Sequence, residues 1–73
     1  MRSYSNHEKY SGIYAYEIGP DHIKVLFRDG ALYKYTYASA GRSNIEAMKQ
    51  LAISGAGLNR YINTHVKRNY VKL

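Results

Sequence analysis

The stretch FRDGALYKYTY, Phe27 to Tyr37, constrains the fold more than any other part of the chain. Apolar residues alternate with polar ones on both sides of Asp29-Gly30, a turn pair flanked by strand-type patterns. The loop length decides which side chains share a face, because a one-residue slip flips a whole strand. A two-residue loop at Asp29-Gly30 would pair Phe27 with Leu32. Lys34 and Thr36 would then join Ile23, Val25 and Phe27, and both faces would be mixed. A three-residue loop, Arg28-Asp29-Gly30, places Gly30 in the left-handed position after a type I turn. Phe27 then pairs with Ala31, Val25 with Tyr33, and Ile23 with Tyr35. One face becomes Ile23, Val25, Phe27, Tyr33 and Tyr35. The other becomes Lys24, Leu26, Arg28, Leu32, Lys34 and Thr36. The pattern therefore favours the three-residue loop, with Tyr33 and Tyr35 on the core side and their hydroxyls reaching an edge or a partner.

Upstream, residues 12–18 read as a strand in which Tyr14, Tyr16 and Ile18 alternate with Ile13 and Ala15. Gly19-Pro20-Asp21 is turn chemistry, and residues 22–27 form the next strand. Residues 37–42 read as a loop. Ser43-Asn44-Ile45-Glu46 has the form of a capping box, S-x-x-E, ahead of the helical stripe Ile45, Met48, Leu51 and Ala52. Ser54-Gly55-Ala56-Gly57 ends that helix. Leu58, Tyr61, Ile62, His65 and Val66 mark the buried stripe of a second helix, with Arg60, Asn63, Thr64 and Lys67 opposite. Tyr70 either closes the stripe or begins an extended tail. The expected fold is a small α+β domain: a three-stranded antiparallel meander with two helices packed on one face, in the order βββαα. The polar residues 1–9 read as a loose arm, and residues 10–73 as the domain.

With 73 residues, such a chain buries only about 60% of the surface its unfolded form exposes. A deep cleft between two layers is not expected, and a homodimer would cover leftover apolar surface. No apolar run approaches the ~20 residues needed to span a bilayer, and the first residues lack the apolar core of a signal peptide. There is no cysteine, which removes disulfides and thiolate chemistry and fits a reducing cytoplasm. The expected setting is soluble and cytoplasmic, with no membrane partner.

Catalytic and metal motifs are weak. His7, His22 and His65 are far apart and lack ligand spacing. His65 on an apolar stripe reads as a satisfied, half-buried histidine. No serine has an evident base and orienter, and Asp29 and Glu46 are explained by a turn and a cap. The G-A-G of residues 55–57 lacks a phosphate-loop frame and reads as a helix-helix turn. No catalytic residue, metal or cofactor is expected.

Charge is the stronger functional signal. Eleven Lys and Arg oppose five Asp and Glu, giving a net charge of +6. From Asn59 onward there are Arg60, Lys67, Arg68 and Lys72, with no acid. Such a segment favours polyanions, although solvated basic faces are also common. Nine tyrosines exceed what a core this size needs, and aromatic faces beside cations suit single-stranded nucleic acid. The candidate ligand-binding residues are Arg28, Lys34, Arg60, Tyr61, Asn63, Lys67, Arg68 and Tyr70. The cations would meet phosphates, and Tyr61 or Tyr70 would stack. A nucleic acid or nucleotide is the expected partner, with a protein partner as the alternative.

Tyr33-Lys34-Tyr35 after Asp29-Gly30, the alternating Ile23, Val25 and Phe27, and the opening Ser11-x-Ile13 resemble the KTSC domain family. That module is found at the C-terminus of some lysyl-tRNA synthetases and as small free-standing bacterial and phage proteins. Tyr61, Asn63, Val66 and Tyr70 are similar to its closing stretch, and the likeness spans about Tyr10 to Tyr70. The chain departs from it at Ser54-Gly55-Ala56-Gly57, longer than the family's compact S-x-G. The resemblance marks Gly30, Tyr33 and Tyr35 as hallmark positions and implies RNA binding without catalytic residues. For free-standing phage forms it implies, alternatively, an inhibitor that blocks a host protein or sequesters a small nucleotide signal.

Overall fold

Arg28, Asp29 and Gly30 close a three-residue loop between β3 (His22–Phe27) and β4 (Leu32–Thr36) in a computed structural model that describes residues 1–5 and 12–72. The Phe27 N–H donates to the Ala31 carbonyl at 2.8 Å, and the Gly30 N–H returns to the Phe27 carbonyl at 3.0 Å. The Asp29 carboxylate accepts the Ala31 N–H at 2.9 Å. Gly30 has φ 92°, open to a residue without Cβ. Val25 lies opposite Tyr33 and Ile23 opposite Tyr35, the register that separates an apolar face from a mixed one. Ile23, Val25 and Tyr35 are buried and Tyr33 is half-buried.

β2 (Ile13–Ile18) precedes this hairpin and pairs antiparallel with β3. Its side chains do not alternate strictly. A register shift between Ile13 and Ala15 inserts an extra residue, so Ile13 and Tyr16 both enter the core while Tyr14 is exposed. A bulge of this kind reorients one residue at the cost of one ladder pair.

Two further strands, each of two residues, extend the sheet to the order β1-β2-β3-β4-β5 among the described residues. β1 (Arg2–Ser3) pairs with Tyr16 and Ala15, and β5 (Val71–Lys72) pairs with Lys34 and Tyr33. The three-stranded expectation is therefore too small. The loose-arm expectation is also corrected for residues 2–4. Tyr4 is buried, meets Tyr16 edge-on at 6.5 Å, and its hydroxyl accepts the Leu58 N–H at 3.2 Å. One buried aromatic outweighs the polar composition around it. Residues 6–9 of that arm, with Tyr10 and Ser11, lie outside the described residues.

The helices follow the meander, so the class is α+β with an antiparallel sheet followed by helices. α1 (Tyr37–Ala40) occupies what reads as a loop in the sequence. Thr36 caps it: the Ser39 N–H donates to Thr36 Oγ1 at 2.9 Å, and Ser39 Oγ accepts the Thr36 N–H at 3.0 Å. α2 (Arg42–Ser54) starts after Gly41 with no side-chain cap. The expected Ser43–Glu46 box does not form, because the Glu46 carboxylate is engaged by Tyr37 and Lys49. Gly55 ends α2 in the left-handed conformation. α3 (Leu58–Tyr61) runs into a π-helical turn, Ile62–Val66, closed by the Lys67 N–H on the Ile62 carbonyl at 2.6 Å.

Ile45, Met48, Ala52, Leu58, Ile62 and Val66 pack on Tyr4, Ile13, Tyr16, Ile23, Val25 and Tyr35 as one core. The wide turn moves His65 out of the stripe, so it is exposed rather than half-buried. Among the described residues, no helix is long and apolar enough to cross a membrane.

Candidate nucleic-acid interface

The last helical segment carries the densest set of predicted ligand residues. Arg60, Asn63, Lys67 and Arg68 are all exposed. Leu58, Ile62 and Val66 face the core, which turns the intervening polar side chains outward. Among the described residues, no carboxylate pairs with Arg60, Lys67 or Arg68. Lys67 is also the one non-glycine residue with positive φ, at 25°, among the described residues. A backbone of that kind costs about 1–3 kcal/mol and persists where the surroundings enforce it.

Tyr61 and His65 stack beside these cations, with ring centroids 4.0 Å apart and planes 6° from parallel. The Tyr61 hydroxyl donates to Asn44 Oδ1 at 2.7 Å, which fixes the phenol against α2. Thr64 Oγ1 donates to the Arg60 carbonyl at 2.9 Å and lies 2.8 Å from His65 Nδ1. With its proton committed to Arg60, the hydroxyl accepts from Nδ1–H, which assigns the imidazole tautomer. The exposed ring of His65 thus lies on a fixed support. Sequence reasoning placed His65, half-buried, on the apolar stripe; the Tyr-x-x-x-His spacing on a helix was the signal for the stack.

Tyr70 occupies a different place. It stacks on Tyr33 at 3.9 Å and meets Tyr35 edge-on at 5.9 Å. Phe27 extends the cluster, 5.5 Å from Tyr33. One face of Tyr70 is therefore covered by the protein. The Tyr33 hydroxyl titrates above the ordinary tyrosine range, first through its hydrogen bond with Tyr70. Burial pushes Tyr35 up further. Gly30, Tyr33 and Tyr35, the positions that the KTSC resemblance singles out, thus serve the hairpin and its packing.

Lys34 and Arg28 stand apart from the helical cations. Lys34 lies on β4 opposite Lys24, on the sheet face that the helices do not cover. Lys24 is 3.5 Å from Glu17. Arg28 sits in the β3–β4 turn, its N–H donating to the Gly12 carbonyl at 2.8 Å. The predicted residues therefore divide into a helical group, Arg60, Asn63, Lys67 and Arg68 with Tyr61, and a sheet group, Lys34 and Arg28, with Tyr70 in the aromatic cluster.

A second polar cluster ties α2 to the rest. Glu46 Oε2 accepts the Tyr37 hydroxyl at 2.7 Å and lies 2.9 Å from Lys49 Nζ. Lys49 also donates to the Pro20 carbonyl at 3.2 Å. The Tyr37 hydrogen bond, then Lys49, holds the Glu46 carboxyl below its usual range, and Glu46 in turn raises Tyr37. Every partner here is accounted for by holding the β2–β3 turn. Among the described residues, no three His, Asp or Glu side chains gather as a metal site; His7 lies outside them.

Comparison of the chain with protein-family models, with curated proteins and with solved structures returned no match.

Proposed function

We propose that the chain is a small non-catalytic binding module for a phosphate-bearing ligand, with single-stranded RNA as the first choice, working in the cytoplasm. The observation that supports this reading is the surface of residues 60–68. Three exposed cations that, among the described residues, have no carboxylate partner share this segment with an imidazole stacked on Tyr61. Phosphates would meet Arg60, Lys67 and Arg68, and Asn63 would hydrogen-bond a base edge or a ribose. A base would stack on His65 rather than on Tyr61 or Tyr70 directly. Stacking of this kind is worth about 1–3 kcal/mol per base and is tolerant of sequence. The KTSC resemblance points to the same ligand class.

Binding of a labelled short single-stranded RNA, followed by fluorescence anisotropy against salt, tests the reading. Affinity should fall steeply between about 50 and 200 mM salt, since each neutralised phosphate releases counterion. RNA binding that does not change with salt, or no binding at low salt, would overturn it. A protein captured in place of RNA would instead support the alternative, an interaction protein that blocks a host factor.

A further inference from the structure

At the opposite edge of the sheet, Met1, Ile18 and Ile53 are large apolar residues left exposed, at 56%, 39% and 58%. Singly exposed aliphatic residues need no explanation. These three come from separate elements, the start of the chain, the end of β2 and the last turn of α2, yet they line one cavity. The cavity measures about 490 Å3, and Arg2, Tyr16 and Glu17 complete its lining. That volume lies within the range of roughly 300–1,000 Å3 used for small ligands. Tyr16 is buried and braced edge-on by Tyr4, so this wall is rigid.

The two charged side chains in the lining differ. Glu17 is compensated by Lys24 at 3.5 Å. Arg2 is exposed, and among the described residues no carboxylate pairs with it. The lining is therefore largely apolar, with Arg2 as its one uncompensated cationic side chain among the described residues. A nucleotide suits it poorly, because base and ribose would lose hydrogen bonds against Met1, Ile18 and Ile53, and a multiply charged phosphate would face Glu17. An amine would meet Arg2 with like charge.

We infer that this cavity is a binding site for a small apolar anion, an aliphatic carboxylate of medium length. Its chain lies against Met1, Ile18 and Ile53, and its single acidic group pairs with Arg2. This site is separate from the cations of residues 60–68 and does not rest on the RNA reading.

Octanoate, octylammonium and inorganic phosphate are the probes, titrated into the 15N-labelled protein while amide shifts are followed. Octanoate should give saturable shifts centred on Glu17, Ile18 and Ile53, and should bind about tenfold more tightly than octylammonium. Phosphate should leave these amides unmoved. Arg2→Gln should weaken octanoate roughly two- to fivefold, the size expected of an exposed ion pair, and, by removing the like charge, tighten octylammonium by a similar factor, so that the two bind about equally. Ile53→Asp, on an exposed helix position, should weaken octanoate at least tenfold while the rest of the spectrum shows an intact fold. Octanoate shifts centred on Arg60–Arg68, equal binding of octylammonium, or unchanged binding in Ile53→Asp would each overturn the assignment.

Discussion

Tyr70 lies flat on Tyr33, with ring centroids 3.9 Å apart and planes 17° from parallel. The contact joins the segment after the last helix to the middle strand of the sheet's second half. Replacing Tyr70 with Ala should cost about 2–3 kcal/mol, roughly half of a fully buried aromatic truncation. Tyr70→Phe keeps the stack and should cost under about 1 kcal/mol, the net worth of one hydroxyl hydrogen bond. Urea unfolding of the two variants separates ring from hydroxyl. Equal stability of Tyr70→Ala and the parent would show that the stack carries no weight.

Tyr4 makes the first strand part of the core. Its hydroxyl accepts the N–H of Leu58, at the start of α3, at 3.2 Å. Tyr4→Phe keeps the ring but leaves a buried donor without this acceptor, and should cost about 1–2 kcal/mol. Thermal melting measures it. A midpoint equal to the parent's would mean that another acceptor replaces the hydroxyl.

Stability should have both an acid and an alkaline limb. Glu46 and Asp21 titrate below the usual carboxylate range when folded, through Tyr37 and His22 respectively. Their contribution is present above that range and is lost as pH falls through it. Tyr33, Tyr35 and Tyr37 titrate above the ordinary tyrosine value when folded. Their contribution is present below that value and is lost as pH rises past it. Tyr37→Phe should flatten both limbs, because it leaves Glu46 with Lys49 alone and removes one raised phenol. Urea midpoints collected across pH report this directly; a Tyr37→Phe profile parallel to the parent's would disprove it.

If residues 60–68 contact RNA phosphates, charge removal there should change the salt dependence and not only the affinity. Arg60→Gln, Lys67→Gln and Arg68→Gln together should reduce the slope of log K against log salt by roughly 2, given about 0.7 per phosphate on a single strand. The same replacement at Lys34, on the other face of the sheet, should leave the slope nearly unchanged. Equal effects at the two places would move the interface.

Lys67 sets stability against binding. Glycine tolerates φ 25° where lysine is strained, so Lys67→Gly should stabilise the fold by about 1 kcal/mol after the loss of chain entropy is counted. The same variant should bind RNA more weakly. Denaturation together with anisotropy gives both numbers. A destabilised Lys67→Gly would mean that the lysine stem packs more than its backbone strains.

The β3–β4 register, the stripe Ile45, Met48 and Ala52, and the stop at Gly55 were legible because each rests on a repeated pattern or a backbone requirement. The two-residue strands were not: two residues carry no period, and their pairing is set by Tyr4 and Tyr70 finding partners distant in sequence. The helix start was misread because two capping sequences compete. Thr36-x-x-Ser39 forms, while Glu46 of the other is drawn to Tyr37 and Lys49. At the candidate site, the exposure of Arg60, Asn63 and Lys67 followed from helical spacing. The π-helical turn that brings His65 to the surface did not, since a 3.6-residue period assumes regular α-helix throughout.

The order of the sheet also has a kinetic meaning. β2, β3 and β4 are joined by short turns, so their pairing closes small loops and should form early. β5 reaches β4 only after the whole helical segment has been laid down. The Tyr33–Tyr70 clasp therefore closes a long loop, exceeded by the Tyr4–Leu58 contact, whose partners lie 54 residues apart. It should form late in folding and be released early when the native protein opens, so Tyr33 and Tyr35 would be uncovered well before the domain unravels.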